Sequence, residues 1–154
     1  GRPLAGRPGR EVPRPMKVSA KAEYACLAIL ALARQGPNAP PLRIKDISES
    51  YGIPERYLVQ ILLHLKGAGL VVSTRGAAGG YQLARQPESI SIREVLTAVD
   101  GPDDAARETA STDRRASEIL NHLWARVRQA ERAVLDQTTA ATLAAQATPH
   151  EWTI

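Results

Sequence analysis

The chain has 154 residues, enough for one small domain with an added element or for two small lobes, and 44% of them are hydrophobic. Its net charge of +4 is compatible with an anionic partner, and aromatic residues at only 4%, with no Phe, leave Leu, Ile, Val and Ala to fill the core. The single cysteine, Cys26, excludes an intrachain disulfide and a zinc site of several thiolates. No long apolar run or secretion signal is found, which predicts a cytoplasmic protein without a membrane partner.

Residues 1–15 are dominated by Pro, Gly and Arg and show no apolar period. Such a segment buries too little apolar surface to offset the entropy lost on ordering, so we expect it to be disordered. It is either a non-native remnant or upstream-extended start, or a basic arm that contacts nucleic acid. The only methionine, Met16, follows it directly, and helical periodicity begins there.

The first predicted helix runs from about Ser19 to Arg34. Ser19 is a favourable N-cap, and Gly36 and Pro37 end the segment. Apolar residues recur at intervals of three and four, which predicts a buried stripe formed by Ala22, Ala25, Cys26, Ile29, Leu30 and Ala33. The prolines that follow exclude a continuing helix and predict a loop.

Two further short helices are predicted on either side of a tight glycine turn. The first begins at Ile44 and stops at Gly52. Pro54 suits the first position of the second helix, because its missing N–H would be unpaired there in any case. The buried stripe of this second helix is formed by Leu58, Ile61, Leu62 and Leu65. Two such helices, the second with a polar outer face, predict a helix-turn-helix.

A β-hairpin is predicted directly after these helices. Strands at 71–73 and 81–83 flank a glycine-rich tip at 74–80, where glycine accommodates the positive φ angles of the turn. A hairpin in this place is typical of a wing. The sequence Ser-Ile-Arg-Glu at 91–94 has the spacing of a capping box and predicts another helix ending near Val99.

A polar, acidic linker at 101–113 precedes a long predicted helix from about Arg114 to Leu135. Its apolar residues advance by alternating steps of four and three, the spacing of a coiled-coil seam formed by Ala116, Leu120, Leu123, Val127, Ala130 and Val134, with Trp124 beside it. Because identical helices are self-complementary about a two-fold axis, this spacing predicts a homodimer. The alternative is that the helix packs on its own domain. A short Ala-rich helix at 139–147 follows.

These segments together resemble the IscR/NsrR/CymR family of winged helix-turn-helix regulators, also called the Rrf-two family. The similarity covers Met16 to about Ala147 and includes the opening helix, the helix-turn-helix with its RG and GGY wing residues, the helix containing IREVLTAVD, and the LW pair of the long helix. The resemblance implies a mainly α fold with a small β wing. The expected divisions are a basic extension (1–15), a winged helix-turn-helix domain (16–100), a linker (101–113), dimerisation helices (114–147) and a tail (148–154).

The resemblance implies a sequence-specific, homodimeric DNA-binding transcription regulator, usually a repressor, acting on double-stranded DNA. The second helix of the motif would enter the major groove. Gln60 can pair with adenine and Arg56 with guanine or a phosphate, whereas Val59 cannot accept a hydrogen bond from cytosine. Arg75 would enter the minor groove. The full set of expected DNA-binding residues is Arg56, Tyr57, Val59 and Gln60 on the recognition helix, Arg75, Gly76, Gly79 and Gly80 on the wing, and Ser19, Lys21 and Tyr24 at the first helix.

Many relatives hold an iron–sulfur cluster through three cysteines between the fourth helix and the dimer helix. This chain has none there, and Glu118 and Asn121 stand near the places of the last ligands. Carboxylate and amide groups do not hold such clusters, so we expect a member without a cofactor or metal. Three hypotheses for the switch stay open: a small-molecule or protein effector at the linker and long helix, redox sensing through Cys26, or no dedicated signal.

An enzyme is not indicated, because no catalytic constellation is recognisable and His64, His122 and His150 lie far apart in sequence. The glycine-rich wing also lacks the Lys-Ser/Thr of a phosphate-binding loop. A competing hypothesis from another class is a protein-interaction or signal-relay module whose winged domain binds a partner protein. That hypothesis predicts that operator-like DNA binds no better than random DNA.

Overall fold

The computed structural model describes residues 18–102 and 108–147. The predictions for residues 1–15 and 148–154, including His150, and for the middle of the linker lie outside these residues. The described elements are α1 (Ala20–Ala33), α2 (Ile44–Tyr51), α3 (Glu55–Gly67), β1 (Val71–Thr74), β2 (Gly80–Leu83), α4 (Ile92–Asp100), α5 (Arg114–Gln137) and α6 (Ala140–Ala147). Within the described residues, no helix is long and apolar enough to span a membrane.

Helix α1 is the centre of the core. The Ser19 hydroxyl caps its first turn by accepting a hydrogen bond from the Ala22 amide at 2.9 Å, as the sequence predicts. Of the predicted stripe, Cys26 and Leu30 are only partly buried, whereas Ala28, Ala31 and Leu32 outside it are buried because α3, α4 and α6 all pack against the helix. The small side chains let these neighbours approach closely. The buried residues of α1 are Ala22, Ala25, Ala28, Ile29, Ala31, Leu32 and Ala33.

The helix-turn-helix forms where the sequence predicts it. Gly52 ends α2 with a left-handed φ of 67°, a conformation that glycine adopts without steric cost. Pro54 is the N-cap of α3 and not its first helical residue, so its predicted position is off by one. Four side chains of α3 are fully buried and form one side of the core: Leu58, Ile61, Leu62 and Leu65.

Strands β1 and β2 form an antiparallel hairpin in which Val71 pairs with Leu83 and Thr74 with Gly80. Leu42, ahead of α2, adds a third backbone segment to the wing: its amide donates to the Tyr81 carbonyl at 3.0 Å, and the Tyr81 amide donates back at 2.7 Å. These bonds tie the wing to the start of the helix-turn-helix.

The segment before α4 anchors the second half of the chain. Ser91 caps α4 by accepting from the Glu94 amide at 3.1 Å, which confirms half of the predicted capping box. The Glu94 carboxylate, however, forms an ion pair with Arg85 at 2.6 Å. The Ile92 amide donates to the Thr138 carbonyl and the Ala140 amide donates to the Ile90 carbonyl, both at 2.9 Å, so the α5–α6 junction is bonded to this segment.

Helix α6 packs on the first lobe of the chain. The sequence groups residues 139–147 with the dimerisation helix, whereas α6 packs against α1 and the turn Pro87–Ser89 of the first lobe. Ala140 is fully buried in the core. Because α6 is short and rich in alanine, its sequence carries no signal for which surface it covers.

Candidate DNA-binding surface

The outer face of α3 carries the residues that the sequence assigns to base contacts. Arg56, Tyr57, Val59 and Gln60 are all exposed, and they lie opposite the four buried side chains of the helix. The helix begins immediately after Pro54, so these residues occupy its first two turns. In a helix-turn-helix the N-terminal turns of the second helix are those that reach base edges in the major groove.

A tyrosine pair joins α1 to α3 at this surface. The rings of Tyr24 and Tyr57 stack with centroids 6.2 Å apart and an interplanar angle of 19°. The Arg56 guanidinium lies 5.0 Å from the centroid of the Tyr57 ring, and it donates to the Tyr57 hydroxyl at 3.4 Å. The resemblance implies a role in DNA binding for Tyr24, Arg56 and Tyr57. The sequence carries no sign of the stacking of Tyr24 on Tyr57, because these two residues are 33 positions apart. Stacking restricts the rotamers of Arg56 before any ligand binds.

The wing tip lies beside the start of α2. Arg75 is exposed directly after β1, and Gly76 turns the tip with a φ of 103° and open space around its Cα. Arg43, the N-cap residue of α2, donates from its guanidinium to the Ala77 carbonyl. The tip is therefore held against the start of the helix-turn-helix, and Arg75 beside it is exposed to solvent.

Gly79 and Gly80 have an internal role that the sequence does not reveal. A Cβ at Gly79 would overlap the Thr74 carbonyl, and a Cβ at Gly80 would overlap the backbone of Leu42. Both glycines thus allow close approach of the chain to itself. Their expected role in DNA binding is not needed to explain why glycine stands at these two positions.

Ser19 is engaged within the chain. Its hydroxyl lies 3.0 and 3.1 Å from the two carboxylate oxygens of Asp100, at the end of α4. The carboxylate places negative charge next to the α1 N-terminus, where the resemblance implies contact with DNA, itself a polyanion. Ser19 is therefore better described as the link between α1 and α4, while Lys21 in the next turn is exposed.

Lys66 is a basic residue of this region that the sequence prediction omits. It lies in the last turn of α3 and donates to the Ser73 hydroxyl of β1 at 2.9 Å. Residues 16–100 carry ten basic and seven acidic side chains, an excess of three positive charges that suits a polyanion.

Helix α5 presents its predicted apolar seam to solvent. None of its residues is buried, and the exposed fractions reach 61% for Val134 and 58% for Ile119. The seam residues Leu120 and Leu123 are 37% and 39% exposed. An apolar row of this length left open in a single chain suits a partner helix.

The end of the linker is hydrogen-bonded to α5 through Asn121 and Trp124. Asn121 accepts from the Thr109 amide at 2.6 Å and donates to the Thr109 carbonyl at 3.2 Å. The Trp124 indole N–H donates to the Thr109 hydroxyl at 2.8 Å. Trp124, predicted to widen the dimer seam, thus also holds the linker.

The donor set does not fit an iron–sulfur cluster. The whole chain has one cysteine. Relatives that hold such a cluster bind it through three cysteine thiolates. Asn121, which stands near the place of a cluster ligand in such relatives, bonds through its side-chain amide to the Thr109 backbone. Across residues 18–102 and 108–147, no group of three His, Cys, Asp or Glu side chains is placed to hold a metal ion.

Cys26 lies on α1, partly buried among core residues. Burial raises the pKa of its thiol from 9.0 to about 11, and the nearby Glu23 carboxylate adds to the effect. A thiol with a raised pKa is a poor nucleophile at neutral pH, which argues against the redox hypothesis.

Comparison with known proteins gives one consistent result. The family model described as Rrf2, iron-dependent transcriptional regulator, matches residues 18–146. The chain belongs to the Rrf2 family. It is 39% identical over 137 residues to the HTH-type transcriptional regulator Rv1287 of Mycobacterium tuberculosis, an alignment that covers 87% of this chain and 84% of the relative.

Two solved structures of Rrf2 relatives show the same fold. CymR, described as the global cysteine regulator of B. subtilis, superposes with a TM-score of 0.76 at 32% identity, covering 86% of this chain and 99% of CymR. IscR of T. potens superposes with a TM-score of 0.70 at 31% identity, covering 87% and 90%. These results confirm the predicted family, the winged helix fold and a DNA-binding transcription regulator. The family is described as iron-dependent, but the single cysteine of this chain does not supply the three thiolates that an iron–sulfur cluster takes in cluster-holding relatives.

Proposed function

We propose that this Rrf2 protein is a cytoplasmic, homodimeric repressor that binds a specific double-stranded operator without an iron–sulfur cluster. The observation that carries the proposal is the joint exposure of the polar face of α3 and of Arg75 at the wing tip on one lobe. In this arrangement Gln60 reads a base edge in the major groove, Arg75 enters the adjacent minor groove, and Lys21 contacts a phosphate.

The dimer follows from α5. Its open apolar row meets the same row of a second copy about a two-fold axis, and the two α3 helices then face two half-sites. Those half-sites should lie on one face of the duplex, one helical turn or a multiple apart. The switch is proposed to act at the linker and α5, where a small-molecule or protein effector would change the contacts of Thr109.

The direct test is fluorescence anisotropy on DNA selected from genomic fragments. We expect binding about 10³-fold or more tighter than to random DNA, with affinity falling steeply as salt rises. Binding that shows no sequence preference would overturn the proposal and favour a protein-interaction module.

Two variants separate base reading from phosphate contact. Gln60→Ala should lose about 1–3 kcal/mol of discrimination at one base pair, because its amide pairs with one base edge. Lys21→Ala should weaken binding to all sequences alike and lower the salt dependence by about one released ion. Equal loss of discrimination in both variants would contradict the assigned roles.

A further inference from the structure

Two aliphatic side chains stand on the outer face of α3 among its polar residues. Val59 is 40% exposed and Leu63 is 52% exposed. They are four residues apart, on successive turns of the same side of the helix. Arg56 and Gln60 lie beside them on the exposed side of the helix, so the aliphatic pair is part of the surface proposed to enter the major groove.

Neither side chain belongs to the hydrophobic core of the described residues or packs against it. The core side of α3 is completed by four other residues, and Lys66 makes the side-chain bond from α3 to β1. An exposed leucine by itself is common on protein surfaces. Its place here, continuous with Arg56 and Gln60, makes it part of the base-reading face.

The chemistry of the groove identifies what such side chains bind. Valine and leucine neither donate nor accept hydrogen bonds, so they cannot pair with guanine, adenine or cytosine edges. The C5-methyl group of thymine is the one apolar group that a base presents in the major groove. Removing two methyl surfaces from water favours their contact.

We propose that Val59 and Leu63 read thymine through its 5-methyl group. This inference rests on the proposed DNA binding and specifies which base the operator carries at the positions that these side chains contact. Four residues of helix span about 6 Å, close to two base-pair steps of about 3.4 Å each. Each half-site is therefore expected to carry two thymines about two base-pair steps apart, next to the base pair that Gln60 contacts.

The test replaces the thymines of the selected operator one at a time by deoxyuridine, which lacks only the methyl group. The full-length protein should bind about fourfold more weakly when deoxyuridine replaces thymine at either of two positions per half-site, the effect of losing one buried methyl group. Leu63→Ala should bind the thymine and deoxyuridine duplexes equally at one of those positions. Val59→Ala should do so at the other.

The matched control is Val72→Ala, which removes an aliphatic side chain that is 44% exposed on β1. It should keep the full preference for thymine at every position. Because alanine favours helix and both α3 sites are exposed, the two variants should fold, which a thermal melt verifies. A wild-type protein indifferent to every deoxyuridine, or variants that keep the whole preference, would overturn the inference while leaving sequence-specific binding intact.

Two other results would also decide the question. If Leu63→Ala changes the oligomeric state without DNA and leaves the methyl preference unchanged, the side chain makes a protein contact and the inference is wrong. If the wild-type protein shows no preferred sequence at all, the proposed function itself fails. The two failures are thus read from different measurements.

Discussion

Gly80 shows how a residue that suggests ligand contact is explained by the chain's own geometry. It adopts a φ of 149°, and its Cα faces the Leu42 backbone at the point where Leu42 and Tyr81 exchange hydrogen bonds. A side chain there would separate the wing from the start of α2. Gly76 of the same tip has open space around it, and the sequence contains nothing that distinguishes the two situations.

Gly80→Ala should therefore destabilise the fold by about 1–3 kcal/mol, since it combines an unfavourable φ with a backbone overlap. Urea denaturation measures the loss. The control is Gly67→Ala at the end of α3, where φ is ordinary and space is open; it should be neutral or stabilising by up to about 1 kcal/mol. Equal stabilities of the two variants would contradict the close approach.

Cys26 allows a prediction about pH. Its folded-state pKa of about 11 exceeds 9.0, so above pH 9 the unfolded chain releases the thiol proton while the folded chain retains it. The contribution of this group to the free energy of unfolding is fully present below pH 9 and is lost as the pH rises towards 11. The difference in unfolding free energy between wild type and Cys26→Ala, measured from pH 7 to 11, should shift against the wild type in this window. A constant difference would show that the thiol titrates normally.

At the scale of elements, the linker and α5 are joined by the bonds of Asn121 and Trp124 to Thr109. Asn121→Ala removes both amide bonds to the Thr109 backbone, so hydrogen exchange of the Thr109 amide should accelerate about tenfold, or about 1.4 kcal/mol. His122→Ala, at an exposed neighbouring position, should leave that rate unchanged. Unchanged exchange in Asn121→Ala would show that other contacts hold the linker.

The elements themselves could be predicted from local sequence, and their contacts could not. Ser19, Gly52 and Ser91 mark helix boundaries through short-range hydrogen bonds and backbone angles, so a single sequence reveals them. The stacking of Tyr24 on Tyr57 and the bond from Ser19 to Asp100 join residues far apart in the chain. Such pairs depend on how the elements pack, which no local pattern encodes.

At the scale of the whole molecule, the open seam of α5 is the surface through which we propose that the dimer forms. Leu123→Glu places a charge in the middle of this row, and burying it against the same charge of a second copy is unfavourable. The variant should sediment as a monomer at micromolar concentration and bind its operator at least about 100-fold more weakly, because one lobe alone meets one half-site.

Ala125→Glu is the matched control for the seam. Ala125 is exposed on the same helix but lies on the side opposite the apolar row, so the variant should remain a dimer and bind DNA normally. Dissociation of both variants, or of neither, would exclude the seam as the dimer interface.

Helix α5 is long and is joined to the first lobe near its C-terminal end. It is bonded to the DNA-binding lobe near one end, where Arg93 pairs with Asp136 at 3.1 Å and Ile92 bonds to Thr138. Its 24 residues extend about 36 Å, so a tilt of about 5° at that pivot displaces the far end by about 3 Å, close to one base-pair step. In the proposed dimer, a change of tilt at this junction would therefore alter the distance between the two recognition helices and their fit to the two half-sites.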